Sequence, residues 1–565
     1  MSTKPTLIDF FCGGGGFTEG FRQMGFETLL GVDNWEPAIK TYNLNYGLEC
    51  KVKNMLDFEK SIEEIEALPD SDIIIGSPPC VTFSSSNISG KADKTLGIKL
   101  SQIFLRIVAV KKWKPDSKLK AWFMENVPSS MKHLGKEYTF EELGLAEWAI
   151  NNKLGKSKVA IQLFGNQEII NSADYGSAQS RKRVISGEII KRRKLIVPQK
   201  THPNNPDGNS WRTLNSIISK LPNPLIDKPK AKIIDPNYPN LLISQQSLSD
   251  HFYDTGLFEC EWKQSQFLKV NHPYMGRMSF PESRIKPSRT ITATKIGTSR
   301  EALIYKSEYK RTGDGEYRTP TVREAACIMG FPITYQFCGG ETTKWRLVGN
   351  AVCPSVARAF AKQVMNELNW TPPVIPLVRA DTPPSDNNLN TFTPRQFNIP
   401  PVRNKGSRFR RHPIKDGNMT ITLSNYDIDK NEKEVGKWIT SVQYGNGEGF
   451  PTYNFPDKYY EVIEPILKQD SKGKHFVELI NNNFLPKVAT GSILQKMYET
   501  QKSETPFIEP TKLIDEIASL INKLNLNQKE YKQQKLIIFK NKGKVPLSQI
   551  CALYAINKIT SLANQ

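Results

Sequence analysis

Thr6-Leu-Ile-Asp-Phe-Phe11 runs without a break into Cys12-Gly-Gly-Gly-Gly16 and on into Phe17-Thr-Glu-Gly-Phe21. The apolar run reads as a buried strand, and the glycines read as a turn where backbone passes so close to a ligand that a side chain would collide. The segment after them reads as the start of a helix. A second short strand, Ile73-Ile-Ile75, ends in Gly76-Ser-Pro-Pro-Cys80 and delivers a thiol. Neighbouring parallel strands that end in this way bring a ligand loop and a nucleophile to one crevice, where open α/β sheets bind and react.

Around these two segments, apolar runs alternate with helical spacing from Thr6 to about Val184. Leu29–Val32, Asp72–Ile75, Ala121–Met124 and Val159–Leu163 have strand character, and Lys99–Val110 has the three-and-four spacing of a helix. Such alternation predicts a mainly parallel sheet with helices on its faces. Residues 1–190 therefore read as a catalytic and cofactor-binding core. Residues 191–317, rich in Pro, Asn and Lys, read as a loop-rich insert. Residues 318–370 return to the core, with one short helix ended by Gly330 and Pro332 and another opened by Pro354. Repeated prolines make 371–402 a linker, and 403–565 a separate mixed or α-rich unit.

At 565 residues the chain exceeds one ordinary core. A net charge of +20, with a pI near 9.3, attracts a polyanion, nucleic acid above all; a solvated basic surface is the plain alternative. No apolar run approaches a membrane span, and the amino terminus meets its first strand almost at once, so a cytoplasmic protein is expected. The eight cysteines show no short paired spacing, which predicts reduced thiols and no structural metal.

The glycine loop by itself suits a dinucleotide, a phosphate or an adenosyl cofactor. No Gly-Lys-Ser/Thr follows it, and the Gly-x-Gly-x-x-Gly spacing is absent. The second strand ends in Val32-Asp33-Asn34-Trp35. That places Asp33 where a carboxylate can accept both hydroxyls of a ribose, and Trp35 where a ring can face a purine; a turn acid and a core aromatic are the structural readings. Cys80, aimed by two prolines, is a soft nucleophile for an electron-poor ring carbon, although most cysteines are inert core residues. Glu125-Asn-Val127 follows another apolar strand, and a carboxyl kept protonated there can give its proton to a ring nitrogen. A salt-bridged or capping glutamate is the other reading. In Gln179-Ser-Arg-Lys-Arg183 an extended backbone puts Arg181 and Arg183 on one face, able to reach one anionic or carbonyl target, unless the run is merely solvated.

The order of these segments resembles the C5-cytosine DNA methyltransferases of bacterial restriction-modification systems. Asp9–Phe17, Gly76–Ser84, Glu125–Val127, Gln179–Arg183, Arg318–Glu324 through Gly330–Pro332, and Gly349–Val352 stand in the family's sequence of motifs, over residues 1 to about 368. The resemblance implies a Rossmann-like core using S-adenosylmethionine, with residues 191–317 as the target-recognition region. It also implies double-stranded DNA as partner. By that resemblance Cys80 attacks C6 of a flipped cytosine, Glu125 protonates or hydrogen-bonds N3, and Arg183, with Arg181 beside it, binds O2. Phe11, Gly13, Gly15, Asp33, Trp35 and Asn350 are the implied cofactor contacts. Asn54 takes the place of an acid near the adenine amino group, with Asp57 as its alternative after a local shift. A monomer in the bacterial cytoplasm or nucleoid is expected. An RNA cytosine-5 methyltransferase and a non-catalytic DNA-binding regulator are the competing readings.

Within residues 191–317 the basic cluster Lys191-Arg-Arg-Lys194 suits phosphates. Beyond Pro401, Arg403 to Arg411 is strongly basic. Glu461, Glu464 and Lys468 are the nearest approach to a metal-dependent nuclease, and an accessory DNA-binding or partner-binding unit is the preferred reading.

Overall fold

The computed structural model describes residues 4–79, 94–205, 208–209, 211–225, 232–244, 247–248, 250–270, 278–295, 297, 299–308, 311–381, 411–416, 419–425, 436–444, 452–500, 502–526, 530–532 and 544–565. Two compact units result, Met1–Phe397 and Asn398–Gln565.

The first unit is built on a six-stranded sheet. Its strands are β1 (Thr6–Phe10), β2 (Glu27–Val32), β3 (Ile73–Gly76), β4 (Ala121–Asn126), β7 (Gln167–Asn171) and β8 (Lys182–Ile189), in the order β2-β1-β3-β4-β8-β7, while β5 (Glu137–Thr139) and β6 (Val159–Gln162) lie outside it. The first four are mutually parallel, β8 runs antiparallel to β4, and β7 runs antiparallel to β8. Side chains alternate between the two faces with period two. Leu7, Ile73, Ile75, Ala121 and Phe123 enter one buried cluster. Ile8, Phe10, Ile74, Trp122 and Met124 enter the other. Both faces are apolar, which is why these strands read as unbroken hydrophobic runs. A fully buried Phe or Leu contributes roughly 1.5–3 kcal/mol here.

Helix α1 (Gly16–Arg22) covers the first face, together with a helix at Pro354–Glu367. The long helix Lys94–Trp113 covers the second. Pro354 lies within the first turn of its helix, where a missing N–H costs nothing. The helix Val322–Met329 opens with a capping box, Thr321 with Glu324, and closes on Gly330 in the left-handed conformation.

One expectation is corrected, and two further segments are tied to the core. Val159–Gln162 is a strand, but it pairs with Glu137–Thr139 in a separate ribbon and is no part of the main sheet. The sheet instead takes β7 and β8, whose mixed polar and apolar residues gave no strong signal. The insert is not independent of the core: Leu214, Ile217, Ile233, Ile243, Phe252 and Ile291 belong to the same buried cluster as α1. Ser288 to Ile291 lies against the Gln179–Arg181 segment, with Ser180 N donating to Ser288 O (2.8 Å) and Ser288 N donating to Ala178 O (2.8 Å). Finally, the stretch read as a linker begins as a strap. Leu377 N donates to Gln23 O (2.8 Å), Arg379 Nη1 to Asn45 O (3.2 Å), and Thr334 Oγ1 to Arg379 O (2.8 Å).

The second unit pairs an antiparallel sheet, Arg411–Asp416, Met419–Asn425, Trp438–Tyr444 and Thr452–Phe455, with helices around the buried helix Leu547–Ala563. Glu464 is held by Lys468 (2.7 Å) and accepts from Tyr554 Oη (3.0 Å). Among the described residues no group of three or more His, Cys, Asp or Glu side chains could hold a metal.

Candidate active site

At the end of β1 the backbone turns sharply: Phe11, Gly13 and Gly15 have φ of 54°, 49° and 75°. The turn is clamped by Asp33, whose Oδ2 accepts from Gly13 N (2.9 Å) and whose Oδ1 accepts from Trp35 N (2.9 Å). Burial raises the Asp33 pKa, opposed by these backbone donors. The glycines are needed for close approach. A Cβ on Gly14 would stand 2.9 Å from Leu347 O, and one on Gly16 would stand 2.2 Å from Val352 O. On Gly13 it would meet nothing nearer than Phe11 O at 3.9 Å. The loop is thus pressed against residues 347–352 on one side and open on the other, a cradle that fits an adenosyl cofactor. Each Asp33 oxygen keeps a lone pair for a ribose hydroxyl.

Other expected cofactor contacts are placed less simply. Trp35 is half-buried, and the Arg346 guanidinium lies 4.5 Å from its ring centroid, so one face is already covered. Lys53 N donates to Asp33 O (2.9 Å), which brings Asn54 beside the loop. Asn54 is exposed and its Oδ1 accepts from Leu56 N (3.0 Å), a local turn bond in place of a free acceptor. Asp57 stands 3.5 Å from Lys60. Asn350 is exposed at the end of the helix Glu341–Asn350.

The strand ends next to this loop carry the second half of the site. Ser77 N donates to Phe10 O (3.1 Å) and Ser77 Oγ to Phe11 O (3.0 Å), tying the thiol-bearing segment to the cofactor turn. Asn126 Nδ2 donates to Pro78 O (3.3 Å), tying it to the end of β4. Cys80 itself lies outside the described residues; Pro79, one residue before it, is exposed.

Glu125 on β4 is 7 % exposed, and Arg183 Nε on β8 lies 3.1 Å from its Oε1. Burial raises the Glu125 pKa, opposed first by Arg183 and then by Arg181. Arg183 also donates from Nη1 to Lys182 O (2.8 Å). Arg181 differs from the expectation that both guanidiniums reach one ligand. It is buried, donating from Nη1 to Ile291 O (2.9 Å) and from Nη2 to Gly349 O (3.1 Å), so it braces the insert and the Gly349 turn. Both arginines border one cleft with Glu125, Ser172 and Cys353. Lys191–Lys194 is not in the crevice: it follows the far end of β8.

Three participants escaped the sequence reading. Asn126 and Arg346 carry roles that only a partner's position reveals. Asp9 is fully buried behind the loop, its Oδ2 accepting from Thr18 Oγ1 (2.7 Å) and its Oδ1 without a partner; burial pushes its pKa up to about 8. A charged residue inside an apolar strand was its one visible signal.

A sheet of this kind, with a glycine cradle and a buried acid–arginine pair at the same strand ends, defines an α/β methyltransferase that uses S-adenosylmethionine. The chain belongs to the C-5 cytosine-specific DNA methylases, whose family pattern matches residues 6–366. It is similar to the type II methyltransferase M.MthTI of Methanothermobacter thermautotrophicus, 28 % identical over 369 residues, covering 64 % of this chain and 97 % of that one. It is likewise similar to the type II methyltransferase M.HgiDI of Herpetosiphon aurantiacus, 26 % identical over 366 residues, covering 64 % and 94 %. Among solved structures, the Entamoeba histolytica methyltransferase EhMeth is 17 % identical with a TM-score of 0.40, covering 65 % of this chain and 99 % of that one. No helix among the described residues is long and apolar enough to cross a membrane.

Proposed function

We propose that this chain methylates C5 of a cytosine flipped out of a specific duplex DNA sequence, as the protecting enzyme of a restriction-modification system. The observation that carries this reading is the buried Glu125–Arg183 pair at the end of β4, joined through Asn126 to the Pro-Pro-Cys segment. The base must leave the stack because neither face of C5–C6 is reachable inside a duplex.

Cys80 adds its thiolate to C6, forming a C–S bond, while Glu125 delivers a proton to N3. The electron pair so released makes C5 nucleophilic. Arg183 holds the cytosine O2 and the developing charge, and Arg181 keeps the Gly349 turn in place behind it. S-adenosylmethionine, when bound, supplies the electrophilic methyl group. Asp33 would hold the hydroxyls of its ribose, and the Gly13–Gly16 turn would line that site. Loss of the C5 proton to solvent, departure of the Cys80 thiolate and return of the N3 proton to Glu125 restore the ring and the acid. The RNA-methylating and non-catalytic readings draw no support from the family or from its type II methyltransferase relatives.

The test is tritiated methyl transfer to genomic DNA, with Cys80→Ala expected to be inactive yet to bind cofactor. DNA containing 5-fluorocytosine should trap the wild-type enzyme covalently, since fluorine cannot leave C5 as a cation. Full activity of Cys80→Ala, or transfer to RNA in preference to DNA, overturns the proposal.

A further inference from the structure

Strand β8 begins at Lys182 beside the crevice and ends at Ile189 at the opposite end of the sheet, about 23 Å away at the rise of an extended strand. A chain of backbone bonds collects basic residues there. Ile190 N donates to Lys120 O (2.8 Å), Lys120 N to Asp72 O (2.7 Å), and Thr6 N to Asp72 Oδ2 (2.8 Å). Lys4, Lys118, Lys120, Lys191, Arg193 and Lys194 therefore stand around one end of the sheet, all exposed. None of the six forms an ion pair among the described residues, whereas Arg192 between them is held by Glu367 at 2.7 Å. Asp72, bonded to Lys120 N, accepts from Thr6 N and Thr6 Oγ1 (2.9 Å), and the acids Glu27 and Asp116 stand at the same end of the sheet, exposed.

The turn that presents three of these charges is rigid. Arg192 N and Arg193 N both donate to Ile189 O (2.9 Å each), Ile189 N donates to Lys194 O (3.0 Å), and Arg193 takes the left-handed conformation at φ 53°. The cations lie on loops and a turn, without a helix to enter a groove, so they suit phosphates and carry no base readout.

We propose that this end of the sheet is a second DNA-docking surface, which takes the phosphate backbone of a duplex segment other than the one held in the catalytic crevice. The surface lies at the opposite end of the sheet from the crevice, so it engages a neighbouring stretch of DNA and keeps the enzyme on a long polymer between target sites.

The probe is a labelled 16-base-pair duplex of A·T pairs, which contains no cytosine, titrated into the full-length protein at several salt concentrations and read by anisotropy. The variant Lys118→Gln, Lys120→Gln, Lys191→Gln, Arg193→Gln and Lys194→Gln is compared with wild type. The control removes the same charge from the second unit, at Lys472, Lys474, Lys496, Lys502 and Lys512, all exposed. With about 0.9 of slope in log K against log salt per phosphate contact, loss of three or more contacts makes the cluster variant's slope shallower by about 3. Its affinity falls at least tenfold and its slope changes more than the control's, while all three proteins share one melting temperature. An unchanged slope and affinity in the cluster variant overturns the proposal. An equal loss in the control also overturns it, because net charge alone then explains the effect. Binding is read without methylation, so this result stands apart from the fate of the proposed chemistry.

Discussion

Replacing Glu125 by Gln preserves the side chain's size and removes the carboxyl proton. Glu125 is 7 % exposed, with Arg183 Nε 3.1 Å away, and burial raises its pKa while the two arginines oppose that rise. The site thus keeps a proton available and still tolerates the anion left after transfer. A general acid of this kind is worth about 10²–10⁴ in rate, or about 3–5 kcal/mol of activation free energy. Arg183, whose side chain is 16 % exposed, also loses its countercharge, which costs about 1–3 kcal/mol of stability. Tritiated methyl transfer, cofactor affinity and melting temperature separate the two effects: the rate falls at least 10²-fold and the melting temperature falls, while cofactor affinity holds. The pH profile adds a second readout. The protonated form is the donor, so wild-type turnover declines as pH rises through the raised Glu125 pKa, and Glu125→Gln lacks that limb. A variant within about threefold of wild type, or one with the same alkaline limb, refutes the assignment.

Asn126→Ala removes the tie to Pro78 O and should slow covalent trapping by 5-fluorocytosine DNA about 10- to 100-fold at unchanged cofactor affinity, as expected when a nucleophile is misplaced by a fraction of an ångström. Asp9→Asn tests the buried acid behind the loop. A carboxyl with a raised folded-state pKa stabilises the protein below its unfolded value and loses that contribution as pH rises toward about 8, so wild type should lose thermal stability between pH 4 and 8 and the Asn variant should lose less. Chain ends test the strap: protein ending at Asp381 should methylate DNA, whereas protein ending at Trp370 should be less stable by about 1–3 kcal/mol for want of three hydrogen bonds, measured by urea unfolding.

Sequence alone determined the local features of this protein. Strands β1 to β4 are buried on both faces and so appear as continuous apolar runs, and the glycine turn and the two prolines before Cys80 impose their geometry on the backbone wherever they occur. The ordered motifs were enough to identify the family. What the sequence left undecided depends on contacts between distant residues. Arg181 and Arg183 are equivalent in pattern, yet one braces Ile291 and Gly349, more than a hundred residues away, and the other meets Glu125. Val159–Gln162 has strand character, and only the competition for edges sends it to a separate ribbon in place of the main sheet. Arg346 reaches Trp35, Asn126 reaches Pro78, and the basic turn after β8 sits at the far end of the sheet. Each of these is set by the antiparallel return of β8 and the shared core of insert and sheet, because a side chain's partner is fixed by packing across the fold and leaves no periodicity in the chain that carries it.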